Sequence, residues 1–376
     1  MTIASNQNNV IPNSIVINTL RKGMTFLFIF VNMKIKINLC LIAIAGIFIL
    51  ASCGGNSKKE EIKSSDSLNT TTTKIPEELK AINEQLDANP NSADLYHQRA
   101  KYYYKNKDFK AGLEDMMKVM QIDSTKADYF LTLSDLYFVI NKTGNAKAAL
   151  EKCIKLDEKN VDAMLKLAEL YLYVRKNEKS IEYINMALKV DKYNSKAYFM
   201  KGMNYKDIKD TARAISSMQT AVEQDQQYYN AYMQLGLLTA AQKNPLAIQY
   251  YKNAIRIQPK SSETWYALGK FYQDMQDWNN AITSYTTLLQ FENNKFVHYN
   301  MGVIYLEKIK KPDIAINHFS EAIKLDPNYI ESYFGRGLTY QSIHNIKLAS
   351  EDYQACLSID PNYQPALGAL HQLKKN

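Results

Sequence analysis

The 376-residue chain is poor in the residues that mark several functional classes. Its four cysteines, Cys40, Cys53, Cys153 and Cys356, are too few and too scattered for a disulfide scaffold. Thirteen Gly and nine Pro exclude a collagen-like or low-complexity chain. None of the five histidines (His97, His298, His318, His344, His371) has a partner at metal-ligand spacing. The chain has no Gly-rich phosphate loop, nucleophile elbow or paired-cysteine motif, so the reading is a non-enzyme with no cofactor or metal. An excess of one charge is missing as well. The formal charge of +8 includes Arg21, Lys22, Lys34 and Lys36, with no acid before Cys53; residues 53–376 carry 42 basic and 38 acidic side chains. That balance gives no electrostatic case for nucleic acid, which needs a clustered basic stripe.

What is present begins with a leader. Lys34 and Lys36 precede an apolar run of 12 residues, Leu39–Leu50; small residues Ala51 and Ser52 then lead to Cys53-Gly54-Gly55. Positive, apolar, then small is the order of a secretory signal, and 12 residues fall short of the ~20 that a spanning helix needs. Leu50-Ala51-Ser52-Cys53 resembles a bacterial lipobox, in which signal peptidase II cleaves before the cysteine. The resemblance implies a lipidated Cys53 with several acyl chains, enough for stable anchoring; an uncleaved signal anchor is the alternative. Residues 1–32 are expected to be upstream sequence, with Met33 as the start, or else an additional leader; residues 33–52 are the signal. Residues 53–75, rich in Ser, Thr, Lys and Glu, have little to bury and are expected to form a disordered tether. Some 20 flexible residues reach roughly 25 Å.

From Ala93 to Tyr363 the chain repeats at about 34 residues. Eight units start at Ala93, Ala127, Val161, Ser195, Tyr229, Ser262, Lys295 and Ile330. The fifth is one residue short before its second helix, and the seventh is one residue long at Lys310-Lys311-Pro312. Position eleven reads Tyr103, Tyr137, Tyr171, Tyr205, Thr239, Tyr272, Tyr305 and Tyr340, which no background Tyr frequency near 7% produces by chance. Position eight is small throughout, and Gly in five units: Gly202, Gly236, Gly269, Gly302 and Gly337. Position twenty is small too, and position twenty-four is bulky: Met116, Leu150, Ile184, Met218, Tyr251, Tyr285, Phe319 and Tyr353. Gly within a helix costs about 1 kcal/mol relative to Ala. Its recurrence therefore signals a close approach of two helices, and the tyrosines are packing residues before they are anything else.

These phases resemble the tetratricopeptide repeat family, most completely in the sixth unit (Trp265, Leu268, Gly269, Tyr272, Ala281, Tyr285) and the eighth (Tyr333, Gly337, Tyr340, Ala349, Tyr353, Pro361). The resemblance implies an all-α, right-handed α-solenoid of eight helix-turn-helix units over 93–363. Residues 76–92, with Leu79, Ile82 and Leu86 at helical spacing, read as an N-terminal capping helix. Residues 364–376, with Ala366, Leu367, Leu370 and Leu373 inward, read as a C-terminal one. Cys153 and Cys356 both fall at position twenty-seven and are expected to be free, buried thiols.

In this family a groove is lined by positions two, five, nine, twelve and thirteen of each first helix. Here those positions supply Leu131, Phe138, Val139, Leu165, Leu172, Tyr173, Phe199, Met203, Met233 and Leu237, with Asp128, Asp135, Asp162 and Glu169 as an acidic rim. A long apolar strip suits a peptide or helix, unless its side chains pack between neighbouring helices instead. The rim implies a partner with basic flanks. The Lys and Asn that clamp a C-terminal carboxylate in chaperone-binding members are absent: position five holds His97, Leu131 and Leu165, and position nine Lys101, Asp135 and Glu169. Asp66-Ser67-Leu68, Asp123-Ser124-Thr125 and Asp210-Thr211-Ala212 resemble the short O-glycosylation acceptor of Bacteroidetes periplasmic proteins, which would place glycans on Ser67, Ser124 and Thr211. Together these features read as a lipid-anchored scaffold at a bacterial cell envelope, with the outer membrane favoured. It would bind protein or peptide partners to assist assembly of an envelope complex. The alternative is a carbohydrate- or peptidoglycan-binding module that uses tyrosines and the Trp265 region as stacking surfaces.

Overall fold

The computed structural model describes residues 76–375, and all of their regular structure is helical. The first body holds α1 (Glu77–Ala88) and six helix pairs. These are α2 (Ala93–Lys105) with α3 (Phe109–Ile122), α4 (Ala127–Val139) with α5 (Thr143–Leu156), and α6 (Val161–Tyr173) with α7 (Asn177–Val190). They continue as α8 (Ser195–Asp207) with α9 (Thr211–Gln224), α10 (Tyr229–Ala241) with α11 (Leu246–Ile257), and α12 (Ser262–Asp274) with α13 (Trp278–Leu289). The second body, from Asn293, holds α14 (Lys295–Ile304) with α15 (Pro312–Leu325), α16 (Ile330–Ser342) with α17 (Ile346–Ile359), and α18 (Gln364–Lys375). The eight pairs coincide with the eight repeats, units one to six in the first body and seven and eight in the second. None of these helices is long and apolar enough to cross a membrane.

The deepest layer of the core is position twenty-four of the second helix. Met116, Ile184, Met218, Tyr285, Phe319 and Tyr353 are fully buried there, and Leu150 and Tyr251 nearly so. In the five glycine units this side chain lies against position eight of the first helix. A Cβ added at Gly269 would come within 2.6 Å of Tyr285 Cε1, and one at Gly337 within 2.7 Å of Tyr353 Cε1. Gly236 against Tyr251 and Gly302 against Phe319 repeat the arrangement. The ring therefore takes the space that a side chain at position eight would need, and burial of that ring offsets the conformational cost of glycine. The position-eleven tyrosines sit further out. Tyr171 and Tyr272 are buried, while Tyr103, Tyr137, Tyr205, Tyr305 and Tyr340 are half-buried.

Every turn between paired helices passes through one residue in the left-handed region, and in no unit is it glycine. These are Lys107, Asn141, Arg175, Lys209, Lys243, Gln276, Lys310 and His344, with φ between 54° and 63°. The next residue's N–H bonds back to the carbonyl of position eleven, as in Asp108 to Tyr103 at 2.9 Å and Lys176 to Tyr171 at 2.8 Å. This is the Schellman closure of a helix C-terminus. A left-handed L-residue costs roughly 1 kcal/mol, and a basic side chain there faces the negative end of the helix it closes. In unit seven the additional residue is absorbed inside the first helix, as a π-helical turn over Tyr305–Ile309, rather than at Lys310-Lys311-Pro312. In unit five Asn244 caps the shortened second helix through a 3.0 Å bond from Leu246 N–H.

The ends are built as expected except in one place. Ile82 and Leu86 of α1 are buried. In α18, Ala366 and Ala369 are buried and Leu370 and Leu373 pack against the same cluster, but Leu367 is exposed, because the inward face runs through Ala369 instead. Units one and eight also carry an ion pair that the repeat pattern does not show. Arg99 holds Asp115 through two 2.8 Å bonds, and Arg336 holds Asp352 at 2.9 and 2.8 Å. Both pairs join position seven to position twenty-three, and both acids are buried. Cys153 and Cys356 are free and fully buried, with thiols pushed up by desolvation to about 11 and about 12.

Gly269→Val should cost about 1–3 kcal/mol of stability by overpacking against Tyr285. Adding Tyr285→Leu in the same chain should recover part of it. Thermal melts of the single and double variants check this, and an unchanged melt for Gly269→Val contradicts the packing described.

Candidate peptide-binding face

The groove positions fall into two sets according to their place along the first helix. Near the middle of the helix they are consumed by contact with the next unit. Leu165 and Met233, both at position five, are each only 3% exposed, and Leu165 belongs to a core cluster with Ala197 and Met200. They are removed from the groove: side chains leaving one first helix at this height meet the next helix before they meet solvent. Leu131, Phe199 and Met203 are half-buried, with the Phe199 ring 5.0 Å from that of Tyr228. At position five of unit one, His97 Nε2 lies 2.8 Å from Thr132 Oγ1.

The acidic rim is largely neutralised by the same stitching. Lys101 reaches across to Asp128 at 2.8 Å and Lys166 to Asp135 at 2.7 Å, while Asp162 lies 3.9 Å from Lys166 on the same helix. Asp135 is therefore a tie between units two and three rather than an acid facing a ligand. Glu169 stays exposed and forms no ion pair among the described residues.

At the C-terminal end of the first helices the apolar residues do face solvent. Phe138 is 44% exposed, Tyr173 74% and Ile208 49%; Val139 and Val174 are exposed too, and Leu172 is half-buried, while Leu237, at position nine of unit five, is exposed within the body of its helix. Val174 and Ile208, at position fourteen, were missed by a search confined to the family's groove positions. Lys206 shares position twelve with Phe138 and Leu172. It is half-buried and donates to Gln234 Oε1 of the next unit at 2.6 Å. Burial alone acts on this ammonium, pulling it below the usual lysine range.

The other candidates are placed as follows. Ser124 is exposed in the turn before α4. Thr211 is not in a turn; it is the first residue of α9, half-buried behind its Asp210 cap. Cys53, Ser67, the leader and the tether lie outside the described residues. Trp265 is half-buried, and its indole N–H donates to the Pro259 carbonyl at 2.8 Å. The fold also brings together His298 and His318, whose Nδ1 atoms lie 3.0 Å apart, with Asn293 Oδ1 2.8 Å from His298 Nε2. No cluster of three metal-ligating side chains occurs among the described residues.

Two repeat models match the second body, one described as TPR repeat over residues 313–343 and one as tetratricopeptide repeat over 330–363. The chain belongs to the tetratricopeptide-repeat family. A third model, ChAPs (Chs5p-Arf1p-binding proteins), matches residues 76–303, and this repeat protein is similar to that family over more than half its length. Among curated relatives, a DnaJ homolog subfamily C member 7 homolog of Dictyostelium discoideum is 28% identical over 146 residues, covering 34% of this chain and 26% of that one. The repeat chain spans about a quarter or less of the length of the leading curated relatives. The C-terminal part of a TPR repeat-containing protein from Cytophaga hutchinsonii is 19% identical with a TM-score of 0.49, covering 58% of this chain and 91% of that chain. YrrB, described as a TPR protein with an unusual peptide-binding site, is 22% identical with a TM-score of 0.41, covering 50% and 98%.

His97 and His318 are both held down to about 4 by burial, against an ordinary value of 6.5, and His298 is lowered for the same reason. The folded state keeps these rings neutral while the unfolded chain takes up protons at higher pH. Their contribution is whole above about pH 6.5 and is lost as pH falls toward 4. His97→Gln should therefore lose less melting temperature than the parent between about pH 7 and pH 4.5. Equal losses in the two chains would contradict the burial argument.

Proposed function

We propose that this tetratricopeptide protein is a lipid-anchored, non-catalytic scaffold that binds a protein or peptide at a bacterial cell envelope and assists assembly of a complex there. The observation that carries the binding half is the exposed row Phe138, Tyr173 and Ile208, with Val139 and Val174 beside it, at one end of the first helices of units two to four. Apolar side chains elsewhere on these helices are committed to packing, so a solvent-facing row on successive units marks a docking face. The anchoring half rests on the sequence: the positive start, the short apolar core and the ending Leu50-Ala51-Ser52-Cys53. A tether of some 20 residues then lets the array work away from the lipid surface.

Phe138→Ser and Tyr173→Ser should each weaken a partner captured by the full chain by more than ~1 kcal/mol. The melting temperature should stay nearly unchanged, since both rings are open to solvent. Leu165→Ser should do the reverse, lowering the melt because it strips a core side chain. A large loss of melting temperature with Phe138→Ser would remove the docking reading, and a glycan-array signal that survives both serine variants would favour the carbohydrate reading instead.

Intact mass spectrometry should find a mature N-terminus at Cys53 carrying acyl chains, and Cys53→Ala should leave the protein uncleaved or released from membranes. An unmodified N-terminus elsewhere would contradict anchoring.

A further inference from the structure

The composition of the whole chain points to no charged partner, and the sequence pattern points to a basic one. The end of the first helices has the opposite character. Lys206 sits at position twelve of unit four, in register with Phe138 and Leu172 on the two preceding units. Its Nζ donates to an uncharged amide, Gln234 Oε1, at 2.6 Å. Half-buried ammonium groups normally pair with a carboxylate, because the lost hydration is otherwise uncompensated. None of the ion pairs among the described residues includes Lys206. Around it, the turns that close α4, α6 and α8 present Lys142, Arg175, Lys176 and Lys209 to solvent, two of them held in the left-handed conformation.

Three of the acids near these cations are already engaged. Asp207 accepts from Asn177 Nδ2 at 2.9 Å, Asp210 is held by Arg213, and Asp135 by Lys166. Glu169, one turn before Leu172 on α6, is exposed and stands on the same helix face.

We infer that the occupant of this face is an acidic amphipathic segment of a partner protein, whose apolar side chains cover Phe138, Leu172 and Tyr173 and whose carboxylate bonds to Lys206 Nζ. The inference rests on the docking face proposed above and reverses the charge that the acidic rim led one to expect. A carboxylate at Lys206 replaces the missing counter-ion, and the turn cations supply a longer-range field of the same sign. An apolar strip beside basic turns selects against basic segments by like-charge repulsion.

The test selects a random peptide library displayed on phage against the full chain in detergent, then measures the enriched peptides by fluorescence anisotropy on three variants. The expected peptides combine Leu, Phe or Ile with Asp or Glu, bind more weakly as salt rises, and lose at least about tenfold in affinity on Lys206→Met. That variant should melt no lower than the parent, because it removes a half-buried charge and keeps the apolar stem. Arg175→Glu with Lys176→Glu should weaken the same peptides and flatten or reverse their dependence on salt. Peptides that are basic or uncharged, or whose affinity ignores Lys206→Met, overturn the acidic-partner inference while leaving the face intact, provided that Phe138→Ser with Tyr173→Ser abolishes their binding. Peptides that bind the double serine variant undiminished, or a selection that enriches nothing, overturn the docking face and this inference with it.

Discussion

One contact organises the protein: a bulky side chain at position twenty-four of each second helix pressed onto a small residue at position eight of the first. It sets how closely the paired helices approach, and that distance leaves no room for a Cβ in the glycine units. It also makes the unit asymmetric. The ring spends its surface inside the pair, so the remaining apolar faces of both helices must be covered by the next unit. The repeat of about 34 residues is the consequence, and so is the need for α1 and α18 at the ends. Position eleven takes part at the margin, its ring half-buried in five of the units while its backbone carbonyl closes the first helix.

Stacking has a cost in available surface. Where successive first helices run against each other, Leu165 and Met233 are absorbed into the core; His97, Lys101 and Lys206 reach across to the following unit, and Lys166 to the preceding one. Apolar side chains point past the neighbouring helix into solvent mostly toward the helix C-termini, with Leu237 as the exception. The residues available for binding are therefore those one to three positions before the left-handed turn, and their surroundings are set by what that turn accepts. A C-terminal helix end favours cations and polar side chains over acids. In this way a requirement of helix termination also decides the electrostatic character of the exposed apolar row.

The Arg99–Asp115 and Arg336–Asp352 pairs occupy equivalent positions in the first and last units. Interior units place Leu133 with Ala149, Leu167 with Tyr183 and Leu268 with Ser284 there. Each arginine also reaches outward from its own pair, to Asn83 of α1 in one case and to Ser320 of α15 in the other. A guanidinium can satisfy a buried carboxylate and a neighbouring polar atom at once, which ties each unit's two helices to the element before it.

The number of units, the helix pairs, the burial of both cysteines and the capping role of Ile82 and Leu86 were all determined by the sequence alone. Each depends on contacts that recur at a fixed spacing within one unit, so a single chain displays the same constraint eight times. The shift of the unit-seven insertion into a π-helical turn was not readable, because an additional residue can be absorbed anywhere along a helix end. The non-glycine left-handed turns were also hidden, since many polar side chains tolerate that conformation at similar cost. The binding face was half legible. Phe138, Tyr173 and Leu237 were identified as groove residues and are exposed, whereas Leu165 and Met233 carry the same apolar character and are buried. Only tertiary structure separated them, because whether a position on the first helix meets solvent depends on the distance to the next unit at that height, and no periodicity within one helix encodes it. The same holds for charge: Asp135 and Lys206 look alike as surface residues in the sequence, and the fold pairs one with Lys166 while leaving the other beside an amide.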